Sequence, residues 1–70
     1  MKEITGEIAL AKRKELGLNQ QQFWNKINVT QSGGSRYESM RDIPYHVQVV
    51  FNLVYGNDKD AEKLLKELRP

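Results

Sequence analysis

The side chains of this chain best suited to recognition fall between Gly17 and Glu38. Asn19-Gln20-Gln21-Gln22 open one apolar stretch, and Thr30-Gln31-Ser32-Gly33-Gly34-Ser35-Arg36 open a second segment. Amides, hydroxyls and a guanidinium make hydrogen bonds; they do not by themselves break covalent ones. The layout is a capped helix, a tight turn and a second capped helix that is polar over its N-terminal half. A DNA-reading helix needs this arrangement: one helix braces across the backbone while the next offers short polar side chains to base edges in the major groove. Catalytic chemistry has no comparable foothold. There is no cysteine, His46 stands alone, and no Walker loop, GxSxG turn or metal constellation occurs. Glu3, Glu7, Glu15, Asp58, Asp60 and Glu62 lie among lysines and read as solvated faces. The expectation is a protein that is not an enzyme, with no metal, no cofactor and no small-molecule substrate.

Five helices are expected to position these residues, over 5–16, 20–27, 31–39, 44–55 and 58–68. Ile4, Ile8, Ala9 and Leu16 share a face of the first, and Gly17 supplies the left-handed residue that closes it. Asn19 caps the second, with Gln22 completing a capping box, and Phe23, Trp24 and Ile27 form its apolar side. Asn28 suits a left-handed turn, and Thr30 caps the third helix. Pro44 is a favoured first residue for the fourth, in which Val47, Val50, Phe51 and Val54 share a face. That run is rich in β-branched residues, so a strand competes; its length and the proline favour helix. Gly56 ends it, Asn57 or Asp58 caps the fifth, and Ala61, Leu64, Leu65 and Leu68 make a narrow stripe. The reading is one all-α domain over 1–70.

Bulk properties set the bounds. A 70-residue chain with 39% apolar residues and no disulfide builds a small core, which makes self-association a reasonable extra source of burial. No apolar run is long enough to span a membrane, and Met1-Lys2-Glu3-Ile4-Thr5-Gly6 does not look like a signal peptide. A cytoplasmic setting is the expectation. A net charge of +2 permits nucleic-acid binding without selecting it.

Arg13, Gly17-Leu18-Asn19-Gln20, Val29-Thr30-Gln31-Ser32 and Ser35-Arg36-Tyr37-Glu38 stand at the spacing of a helix-turn-helix. With them the chain resembles the Cro and phage-repressor (XRE-like) family from about Leu10 to Phe51. The resemblance implies a compact five-helix lambda-repressor-like fold. It also implies a sequence-specific double-stranded DNA-binding transcriptional regulator, a repressor acting as a homodimer on a palindromic operator. Particular jobs follow from it. Gln20 would bond a phosphate at the start of the second helix. Gln31, Ser32, Ser35 and Arg36 would face the major groove, with Gln31 suited to adenine and Arg36 to guanine. Arg41 would sit near a phosphate, and Arg13 and Glu38 would form an ion pair between the first and third helices. Two other readings of the scaffold stay open: a protein-interaction module that has lost DNA binding, and an antitoxin or controller-type regulator.

Three positions depart from the family pattern. Trp24 stands where the brace helix carries a small residue, and Gly34 where the recognition helix carries a branched aliphatic. A size exchange is expected, the indole filling the space above the glycine. The Gly33-Gly34 pair costs a short helix about 2 kcal/mol relative to alanines. The third helix is therefore expected either to order fully only on DNA or to have drifted from DNA altogether. Met40 replaces the usual glycine after that helix, so the turn is expected elsewhere, with Ser39 in an unusual conformation. Tyr37 reads as core and His46 as surface. The Ala61-Leu64-Leu65-Leu68 stripe either folds back onto the core or pairs with its twin, and a dimerisation role is favoured.

Overall fold

Helices begin in this chain where a side chain is ready to take the first free backbone N–H groups. The computed structural model describes Met1–Pro70 and contains five α-helices and no strand. In α1 (Gly6–Leu16) the Thr5 hydroxyl accepts from the Ile8 N–H. In α2 (Gln20–Asn25) Asn19 and Gln22 form a full capping box, with bonds of 2.7 and 3.0 Å. Thr30 accepts from Gly33 to start α3 (Gln31–Glu38), and Asn57 accepts from Asp60 to start α5 (Asp58–Leu68). α4 (Tyr45–Tyr55) has no side-chain cap, and Pro44 stands just before it rather than as its first residue.

Three of the connections are the same device. Gly17 (φ 68°), Asn28 (φ 61°) and Met40 (φ 76°) are the only left-handed residues, one after each of the first three helices. At each, the following N–H reaches back five residues: Leu18 to the Arg13 carbonyl, Val29 to Trp24 and Arg41 to Arg36, at 3.0–3.2 Å. These are Schellman closures. They end α2 two residues before the expected boundary, because the chain has already tightened at Lys26 and Ile27 to enter the turn. They also correct the expectation for Ser39, whose φ of −90° is ordinary; Met40 itself takes the glycine position. A residue with a Cβ loses roughly 1–2 kcal/mol in this conformation, and Met40 is 68% exposed, so its side chain returns little by packing. Met40→Gly is therefore expected to stabilise the domain by about 0.5–1 kcal/mol after the extra freedom of glycine in the unfolded chain is deducted. In a thermal melt that is a rise of about 2–8 °C; a fall would mean that the Met40 side chain packs after all.

The core is built around Phe23 and Trp24, both fully buried. Phe23 stacks on Tyr55 at 4.2 Å and meets Trp24 and Phe51 edge-on. The Tyr55 hydroxyl donates to the Phe23 carbonyl, which fixes α4 against α2, and burial pushes its pKa up. Ile4, Ala9, Ile27, Ile43, Val47 and Phe51 complete the cluster. Gln48 ties its open edge: the amide oxygen accepts from the Ile4 N–H (2.9 Å), and the amide nitrogen donates to the Ile43 carbonyl (2.8 Å).

Two apolar faces differ from expectation. Ile8 and Leu16 are exposed, and α1 buries Gly6 and Ala9 instead. Small residues are needed there because α1 crosses close over α3: a Cβ on Gly6 would collide with the Tyr37 carbonyl oxygen. On α4 the buried row is Val47, Phe51 and Tyr55, one residue every turn, which leaves Val54 47% exposed.

Candidate nucleic-acid interface

Glu38, the last residue of α3, organises the helix-turn-helix. Its side chain is 5% exposed and accepts four hydrogen bonds. Arg13 of α1 gives two, Nε to Oε2 at 2.9 Å and Nη2 to Oε1 at 3.0 Å, a bidentate pair. Gln20 of α2 gives one through Nε2 (3.1 Å), and the Trp24 indole Nε1 gives the shortest at 2.7 Å. Burial alone would raise the pKa of this carboxyl. The hydrogen bonds from Arg13, Trp24 and Gln20, with the charge of Arg13, outweigh that and hold it below the usual carboxylate range. Arg13 also donates through Nη1 to the Leu18 carbonyl at 3.1 Å, so one guanidinium ties α1, the turn before α2, and α3 together.

The contact between α2 and α3 depends on Gly34. A Cβ there would overlap Cγ, Cδ1 and Nε1 of Trp24. The indole lies flush on the α3 backbone, tilts against Tyr37 at 5.7 Å, and points its N–H at Glu38. α3 runs unbroken through the glycine pair, from Gln31 to Glu38.

The inner side of α3 is thus Gly34, Tyr37 and Glu38, and the outer side is polar. Gln31, Ser32 and Arg36 are exposed and Ser35 half-exposed. These four, with Gln20 from the start of α2, line one shallow depression that contains no apolar residue and no acid. Five of the six residues expected to meet nucleic acid therefore share one surface. Arg41, the sixth, is exposed in the connection between α3 and α4, and lines a different hollow beside Glu3, Thr5, Asp42 and Gln48. Gln20 has a double attachment: its amide nitrogen is held by Glu38 while the residue borders the depression. The bonds from Gln20 and Trp24 to Glu38 were not anticipated from the sequence. One signal for the second was present, since a buried indole N–H normally finds an acceptor.

A family model for the RsaL-like helix-turn-helix domain matches residues 10–54, a span that takes in Arg13, the whole depression, Glu38 and most of α4. No curated protein and no solved structure matches the chain. The likeness to Cro and phage repressors holds at the level of the helix-turn-helix, and on the matched residues the chain belongs to the RsaL-like helix-turn-helix domain family.

Proposed function

We propose that this protein is a sequence-specific regulator of transcription that inserts α3 into the major groove of double-stranded DNA, as a repressor and as a homodimer on a palindromic operator in the cytoplasm. The observation that carries the reading is the polar depression formed by Gln20, Gln31, Ser32, Ser35 and Arg36 on the exposed flank of α3. An eight-residue helix is about 12 Å long, and a major groove about 12 Å wide accepts it end-on or side-on. Three of the five residues are a glutamine and two serines with short reach, so the backbone of α3 can approach the base edges closely. Gln31 suits the N6/N7 edge of adenine, and Arg36 the O6/N7 edge of guanine. Gln20 keeps one amide hydrogen for a phosphate, and Arg41 serves a phosphate farther along the strand. In a two-fold dimer the two copies of α3 would enter successive major grooves about 34 Å apart.

Arg36 is exposed and makes no hydrogen bond or ion pair within the chain, so Arg36→Ala should leave the melting temperature unchanged. It should weaken binding to the preferred duplex by about 1–3 kcal/mol and relax the preference at one base pair. Arg41→Ala should weaken all duplexes alike and reduce the salt slope by about one. The partner test is selection from random duplexes at two salt concentrations. An enriched two-fold motif supports the reading. Retention indifferent to Arg36→Ala would instead favour a protein-interaction module on the same scaffold.

A further inference from the structure

α4 contains no charged residue between Tyr45 and Tyr55. Its buried row, Val47, Phe51 and Tyr55, explains only one side of it. Val49, Val50, Leu53 and Val54 occupy the neighbouring sector at steps of one and four. The first three are half-buried, and Val54 is 47% exposed. A helix that is apolar on more than one side belongs in an interior, and this one lies at the surface of a 70-residue chain. α5 packs on α4 and extends the same character: Leu64 is buried, while Leu65 and Leu68, one turn apart, are 46% and 49% exposed. The family match stops at residue 54, so α5 lies beyond it.

We infer that Val54 of α4 together with Ala61, Leu65 and Leu68 of α5 form the surface on which a second copy of this chain docks, with the two α5 helices antiparallel about a two-fold axis. This rests on the homodimer proposed above and adds where it is made. The charges along α5 select the partner. Asp58, Lys59, Asp60 and Glu62 give its first half a net charge of −2, and Lys63, Lys66, Glu67 and Arg69 give the C-terminal part +2. A helix with an acidic start and a basic end is complementary to itself only when reversed, which is the relation a two-fold axis imposes. Lys59, Glu62, Lys63, Lys66 and Arg69 surround Leu65 in one shallow surface, an apolar centre with a charged rim. At helical spacing Glu62 and Arg69 lie on the same open flank of the leucine stripe, seven residues apart, so each would meet the other's copy across the axis. A stable association of standard size takes about 800 Å² from each copy. That is a modest share of the 5135 Å² surface of one chain.

The test is sedimentation equilibrium of the full chain without DNA, from low to high micromolar concentration, with circular dichroism on every variant. The wild-type chain should be a dimer. Leu65→Glu with Leu68→Glu should be a monomer of unchanged helicity, since both residues are half-exposed. Glu62→Arg should weaken the dimer at least tenfold, and adding Arg69→Glu should restore it. A wild-type chain that is monomeric throughout overturns the proposal and leaves the face to another partner. A dimer that survives the leucine double variant, or one indifferent to the charge exchange, overturns the surface while leaving the homodimer standing. DNA binding is read separately, by Arg36→Ala, so its failure cannot be mistaken for either result.

Discussion

Glu38→Ala is expected to cost about 3–5 kcal/mol of folding free energy, the range for breaking a buried ion pair by removing one partner. The whole chain commands only about 4–10 kcal/mol at typical stabilities per residue, so the variant should be largely unfolded at elevated temperature. The cause is not the lost attraction alone. Removing the carboxylate strands the Arg13 guanidinium and the Trp24 N–H together, and Gln20 with them. Each buried donor without a partner bears its own desolvation penalty. Glu38→Gln keeps the volume and one acceptor oxygen, yet turns an amide NH₂ toward donors, and should lie between wild type and alanine. Arg13→Met with Glu38→Leu removes both charges and should recover much of the loss. Urea unfolding of the four proteins at neutral pH checks the order. Equal stability of Glu38→Ala and wild type would remove Glu38 from its central place.

The same carboxylate sets a pH signature. Its folded pKa lies below the unfolded value, so the folded form binds its proton less readily than the unfolded chain does. The stability it contributes is fully present above the unfolded carboxylate pKa and is lost as pH falls through the lower, folded one. Wild type should lose stability over that acid window, and Glu38→Gln should show a shallower fall. Because Glu38 also holds Gln20 at the rim of the depression, acid should loosen the α2–α3 geometry before α4 and α5 are affected.

The positions that bend the chain were legible because local chemistry decides them. Asn19, Thr30 and Asn57 have side chains that take free N–H groups within three residues, and Gly17 and Asn28 tolerate left-handed backbone. The polar flank of α3 was legible for a similar reason: Ser32 and Arg36 are one turn apart and nothing apolar separates them. What the pattern hid is set by distances between helices. Gly6 looks like a helix start and is in fact a close crossing over the Tyr37 carbonyl. Ile8 carries the apolar character expected of an α1 core residue, but at that crossing only Gly6 and Ala9 fit. Met40 obeys the closure that its neighbours demand, against its own preference. Trp24 was read as volume, and its N–H turned out to bind the residue that joins three helices.

The exchange between Trp24 and Gly34 predicts a reversal of sign. Alanine is a better helix former than glycine by about 1 kcal/mol, so Gly34→Ala in an indifferent site would stabilise. Here the new methyl would meet the rigid part of the indole, Cγ and Cδ1, rather than the end of a flexible chain. The indole is fully buried between Phe23, Tyr37 and Glu38 and has nowhere to move. Overpacking of this kind costs about 1–3 kcal/mol, so Gly34→Ala should destabilise and Gly34→Val more so. Gly33→Ala is the control on the same helix. Its methyl would touch only Val29 Cγ1 and Thr30 Oγ1, at 3.2 and 3.3 Å, and these side-chain ends can yield by a few tenths of an ångström. Trp24→Leu should cost about 3–4 kcal/mol, through lost burial and through the hydrogen bond withdrawn from Glu38. In that background Gly34→Ala should become stabilising, because the space above the glycine is now open. The coupling between the two positions, read from the double-mutant cycle in urea, should therefore exceed about 1 kcal/mol. Additive effects would mean that the indole and the glycine are neighbours without being matched. Strong coupling would identify the pair as the reason α3, with two adjacent glycines, holds its angle to α2 and keeps Gln31, Ser32, Ser35 and Arg36 on one surface.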